Sequence, residues 1–103
     1  MVSDGVYPTR FDIYETENEW IFRCKMPDVQ LVQLETAMKC GELVIRGKVR
    51  SGLEAVLPRV NSRPHCFFRS FPISGAVNIE RASATFKHGV LTIQLPKVDV
   101  RAP

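Results

Sequence analysis

Three cysteines and two histidines are the side chains in this 103-residue chain best suited to nucleophilic, acid–base or metal chemistry: Cys24, Cys40, Cys66, His65 and His88. An odd cysteine count with no C-x-x-C spacing argues against a disulfide framework and against a zinc site. His65 and Cys66 are adjacent, so in a strand they point to opposite faces and do not share one ion. A Cys–His dyad built from Cys24 or Cys66 with either histidine stays open, because such pairs meet only in space. The alternative is packing for the cysteines, each inside or beside an apolar run, and solvent for His88. No G-x-x-x-x-G-K-[ST], no G-x-G-x-x-G and no G-x-S-x-G occurs. The expectation is a chain with no catalytic residues, no metal and no cofactor, hence not an enzyme. Unpaired cysteines point to a reducing, cytoplasmic compartment.

Charge is the next candidate for function. Fourteen bases against eleven acids give +3, and the pI is about 9.0. Asp12, Glu15, Glu17 and Glu19 cluster early, whereas Arg59, Arg63 and Arg69 with His65 mark the middle. The bases never form a dense run and no aromatic–basic RNA signature appears, so a mixed solvated surface is expected and nucleic acid is not. No apolar run approaches the roughly 20 residues that span a bilayer, so no membrane partner is expected. Met1 to Pro8 lacks the basic and apolar regions of a signal peptide. At 45% hydrophobic and 24% charged, the chain is ordinary globular material. Its size suits one core, burying roughly 65% of the unfolded surface.

The elements that must position these residues read as strands, because the hydrophobic period is two almost everywhere. Phe11 and Ile13 alternate with Asp12 and Tyr14; a polar turn over residues 15–19 leads to a strand from Trp20 to Lys25, stopped by Pro27-Asp28. Leu34, Thr36 and Met38 alternate with Glu35, Ala37 and Lys39. A two-residue Cys40-Gly41 turn then predicts a hairpin to Leu43, Ile45 and Gly47. From Val49 to Pro64 the pattern breaks into a long loop with one apolar island at Leu53, Val56 and Leu57, and loops of that length are usually functional. Phe67, Phe68 and Phe71 mark another strand. Ala82, Ala84 and Phe86 alternate with Ser83, Thr85 and Lys87, His88-Gly89 turns the chain, and Leu91, Ile93 and Leu95 close it. One helical turn is expected, over Val29 to Leu34. Some seven short strands with evenly spaced turns describe an all-β chain, an antiparallel β-sandwich. An open sandwich has edges that must be covered or used, and proteins that use them take up an extended peptide.

In order along the chain, several stretches resemble the α-crystallin domain of small heat shock proteins, the Hsp20 family. PDVQLVQLETAMKCGELVIRG over residues 27–47 looks like that family's proline-led loop, strand, turn and strand. FFRSF over residues 67–71 is similar to its F-x-R-S-F strand, and ATFKHGVLTIQLPK over residues 84–97 matches its closing signature, with His88 where Asn or Asp is usual. Phe11-Asp12-Ile13-Tyr14-Glu15 looks like its opening strand. The departures are Pro27-Asp28 for Pro-Gly, and a proline shifted to Pro72.

The resemblance implies an immunoglobulin-like sandwich over residues 9–97, with a short arm at 1–8 and a short extension at 98–103. It implies a chaperone of the stress response that dimerises and holds unfolding client proteins without ATP, with larger assemblies open. The implied groove for clients or partner C-terminal motifs is Leu34, Thr36 and Met38 against Ala82, Ala84 and Phe86. Val98-Asp99-Val100 matches such a motif, or matches it by chance. The long loop resembles the bacterial and plant type that crosses to the partner. Leu53, Val56 and Leu57 would be its anchors, and Phe11, Asp12 and Tyr14 the receiving edge. Arg59 and Arg63 would meet Asp12 and Glu15 in trans, which favours register more than affinity. Arg69 would form a salt bridge near that interface, the alternative being an ordinary arginine reaching water beside Phe67 and Phe71. A CS-type sandwich that docks on another chaperone is the second reading; it predicts a monomer with no swapped strand.

Overall fold

The computed structural model describes residues 9–51 and 65–98. Seven strands are present there: β1 (Phe11–Glu15), β2 (Glu19–Lys25), β3 (Val29–Lys39), β4 (Glu42–Ser51), β5 (His65–Pro72), β6 (Ser83–Lys87) and β7 (Val90–Pro96). They form two antiparallel sheets, ordered β1-β2-β7-β6 and β3-β4-β5. The expected all-β sandwich is therefore the fold.

Alternation decides which side chains enter the space between the sheets. Phe22 and Cys24 of β2, Leu43, Ile45 and Val49 of β4, Phe67 and Phe71 of β5, and Leu91, Ile93 and Leu95 of β7 are all buried. Phe71 is the hinge of this core: its ring meets Phe11 edge-on at 5.5 Å and Phe22 at 5.3 Å, so one β5 residue ties β1 and β2 to the opposite sheet. Two hairpins are closed by two-residue turns with positive φ at both positions, Cys40-Gly41 (φ +50° and +79°) and His88-Gly89 (φ +51° and +75°). That left-handed geometry matches the twist of the flanking strands and favours glycine second.

Two expectations need correction. Residues 29–34 are not a helical turn but the start of β3, whose pairing with β4 shifts register between Leu31 and Gln33. The extra residue, Val32, is thrown outward and is 47% exposed. The bulge spaces the inward residues Leu31 and Leu34 by three, which imitates helical periodicity. The described helical turn is a 3-10 turn at Ile79–Arg81, just ahead of β6. Nor does the strand pattern fail at Val49. β4 continues to Ser51, and Val49 is fully buried opposite Leu31 and His65.

Gly47 occupies an inward position on β4 opposite Phe67. A Cβ there would run into the Phe67 ring and lie 3.1 Å from the Gln33 carbonyl oxygen. The missing side chain is the space the aromatic ring fills. Gly47→Val should therefore destabilise by about 1–3 kcal/mol, the usual range for overpacking. For a chain of this size that lowers the thermal midpoint by about 4–8 °C per kcal/mol, read by circular dichroism. Adding Phe67→Leu to Gly47→Val should recover part of the loss.

Candidate functional site

The two sides of the sandwich differ. On the side of β1 and β5 the gap is closed by Phe11 and Phe71, and Arg69 crosses it. Its Nη1 donates to the Thr9 carbonyl at 2.6 Å, and its guanidinium lies 5.9 Å from the Phe11 ring centre and 5.3 Å from that of Phe71. Arg69 is half-buried, and its described partners are a main-chain carbonyl and two aromatic faces. Asp12 and Tyr14 lie on the outer face of β1 and are exposed; Arg23 stacks over the Tyr14 ring at 5.8 Å.

On the other side, the edge strands are β3 and β6. Leu34, Thr36 and Met38 point inward from β3 yet are only half-buried, and so are Ala82 and Phe86; Ala84 is exposed. Leu34, Met38, Ala82 and Phe86 pack against the buried core from its open rim. The 3-10 turn lies against both β3 and β7, at one end of this rim. Five of the six residues expected to form a groove thus lie on the inward faces of two edge strands, β3 and β6, that belong to different sheets, and Ala82 caps the 3-10 turn just ahead of β6. Of the residues expected at a dimer contact, Phe11 is buried, Asp12 and Tyr14 are exposed, and Arg69 spans the closed side. Leu53, Val56, Leu57, Arg59 and Arg63 lie outside the described residues, as does most of Val98-Asp99-Val100.

Sequence reasoning did not find the role of Lys97. Its Nζ donates to Glu15 Oε2 at 2.6 Å and to the Thr16 carbonyl at 2.7 Å, and it lies 5.6 Å over the Trp20 ring. It ties the end of β7 to the β1–β2 turn, where Thr16 Oγ1 accepts from the Asn18 and Glu19 N–H groups. The signal was a lysine ending a strand register opposite an acidic turn.

The cysteines correct a further expectation. Cys24 is buried, but Cys40 sits exposed in its turn and Cys66 exposed on the outer face of β5. Turn geometry and strand phase placed them there, against the pull of the neighbouring apolar residues. Burial pushes the Cys24 thiol above its ordinary value; the Arg10 N–H and the Arg69 charge oppose this and the Asp12 charge adds to it. A nucleophilic cysteine needs the opposite shift. Among the described residues, no group of three or more His, Cys, Asp or Glu is placed to hold a metal ion. No helix among them is long and apolar enough to cross a membrane.

This two-sheet arrangement is the fold of small heat shock proteins of known structure. The chain superposes on Heat shock protein 16.0 from Schizosaccharomyces pombe with a TM-score of 0.67 and 24% identity, covering 92% of this chain and 70% of that one. It superposes equally well, at a TM-score of 0.67 and 26% identity, on a small heat-shock protein from Xylella fastidiosa described as having a distinct high order structure, covering 94% and 92% of the two chains. In sequence it is 29% identical over 89 residues to a probable 15 kDa heat shock protein of Leptospira interrogans, covering 85% of this chain and 68% of the relative. It is 24% identical over 98 residues to the 16.9 kDa class I heat shock protein 3 of Oryza sativa, covering 91% and 66%. The chain therefore spans about two thirds of the length of these relatives. The Hsp20/alpha crystallin family pattern matches residues 12–103, and this chain belongs to that family.

The Cys24 shift makes two linked predictions. Native-state alkylation should modify Cys40 and Cys66 first and leave Cys24 until the fold opens, read by peptide mass. Because the folded thiol titrates above the unfolded one, its contribution to stability is intact below the ordinary value of 9.0 and is lost as pH rises past it. Cys24→Ala should flatten that alkaline decline in urea titrations.

Proposed function

We propose that this chain is the core of an ATP-independent holdase that binds partly unfolded proteins and keeps them from aggregating. Residues 9–97 form the working domain, flanked by the short segments 1–8 and 98–103. Family membership supports the chaperone role. The observation that carries the mechanism is the open rim: Leu34, Met38 and Phe86 face inward from unsealed edge strands and remain half-buried. An extended segment lying there gains main-chain hydrogen bonds from a free strand edge and apolar contacts from alternate side chains.

Magnitudes favour weak, reversible capture. Two aliphatic anchors contribute about 1.5–3 kcal/mol each before ordering costs of similar size. A holdase gains from this, since it must release its client. Useful capture then needs several grooves acting together, which fits assembly at least to a dimer. In the dimer reading, Leu53, Val56, Leu57 and Arg59 of one chain reach the edge formed by Phe11, Asp12 and Tyr14 of another, with Arg69 behind it. The cytoplasm, crowded with nascent and stressed chains, is the compartment this activity serves.

The test is light scattering of a heat-stressed client. The wild-type chain should suppress aggregation. Ala84→Arg, which fills the rim from an exposed position, should lose most of that suppression while its thermal midpoint moves by less than about 1 kcal/mol equivalent. Full activity in the variant, or none in the wild type, would remove the reading. Sedimentation tests the assembly: deleting residues 53–59 should convert dimers to monomers. A wild-type monomer would favour the adaptor reading instead.

A further inference from the structure

The outer face of the four-stranded sheet carries a shallow depression of about 540 Å³ that the client groove does not use, although two of its lining residues, Asp12 and Tyr14, belong to the edge that the dimer reading gives to a partner chain. The register fixes its contents. One row across the sheet is Asp12, Arg23, Thr92 and Thr85, and the next is Lys25, Val90 and Lys87. All seven line the depression, with Tyr14. Three cations therefore stand around two threonine hydroxyls, with one carboxylate, Asp12, at the margin. Arg23 and Lys25 are two residues apart on β2, about 7 Å; Lys25 and Lys87 are two strands apart, about 10 Å.

The polar groups of this patch are not paired with one another. Further along the same face, Ser83 Oγ donates to Gln94 Oε1 at 3.4 Å and Gln94 Nε2 to Glu19 Oε1 at 3.5 Å. Among the described residues, by contrast, the Lys25 and Lys87 ammonium groups have no ion-pair or hydrogen-bond partner, and neither do the Thr85 and Thr92 hydroxyls. Arg23 only stacks on Tyr14, which leaves its N–H donors outward. The opposite sheet holds two acids among its cations where this patch holds one. Arg46 covers the exposed Phe68 ring at 5.4 Å, and Glu35 and Glu42 interleave with the cations there.

We propose that this depression binds a linear oligophosphate, the chemistry shared by inorganic polyphosphate and the phosphate chain of a nucleoside triphosphate. Several negative charges in a row match cations 7–10 Å apart on flexible stems better than a single small anion does, since about that span separates the donors. The threonine hydroxyls between them supply neutral donors to bridging and terminal oxygens. Binding is reversible, involves no bond making or breaking, and weakens with salt.

Titration of the full chain with inorganic tripolyphosphate at low ionic strength, followed by amide chemical shifts, tests this. Saturable shifts should centre on Thr85, Thr92 and Lys87. Lys25→Gln with Lys87→Gln should weaken binding about fivefold or more, and Asp12→Asn should tighten it about twofold. Arg46→Gln with Lys48→Gln, on the other sheet, should leave it unchanged. A parallel arm uses ATP without divalent cation. Equal affinity assigns the bare phosphate chain, and tighter binding that Tyr14→Ala abolishes assigns the nucleotide. Loss of binding in the Arg46/Lys48 variant equal to that in the Lys25/Lys87 variant would overturn the proposal, as would shifts that never saturate.

Discussion

The contact on which this structure most depends is Phe71 against Phe11 and Phe22, with Arg69 reaching across to the Thr9 carbonyl. Two twisted sheets cannot be sealed along both sides by strands this short. Here the bulky rings are spent on one side, where β1 overlies β5. The other side carries Leu34, Met38 and Phe86, which stay half-buried, with the small Thr36, Ala82 and Ala84 among them. The asymmetry is a property of residue size along four edge strands. A scaffold closed at one rim and open at the other leaves two strand edges uncovered among the described residues, which is the feature the proposed client binding would use.

Much of the fold was legible in the residues. Period-two alternation survives in most strands because each has one face on the core, and the Cys40-Gly41 and His88-Gly89 pairs announced their hairpins. Reading failed where alternation was locally broken. The Val32 bulge made an extended strand look like a turn of helix. Gly47 and the alternating Arg46, Lys48 and Arg50 hid the continuation of β4, since Val49 alone carried its inward phase. The rim residues were readable as strand positions. That they stay half-buried was not, because exposure at an edge depends on what the opposite sheet places there. Lys97 and Glu15 are 82 positions apart, and only the register of β1, β2 and β7 joins them.

The cysteines teach the same lesson at single-residue scale. All three lie in or near apolar runs, yet only Cys24 has the inward phase, and it alone is shielded. Shielding holds its proton on, so the thiol behaves as one more small hydrophobe of the core. Local hydrophobicity predicts burial only after phase is known.

The bulge at Val32 reaches beyond its own turn of backbone. A second chain laid along β3 keeps one register only from Gln33 to Lys39, roughly 24 Å of strand. Past that point the hydrogen-bonding groups fall out of step, and a longer ribbon would have to break its ladder or bend. A single extra residue thereby sets a maximum length for any strand paired to that border, which would limit how far such pairing could extend.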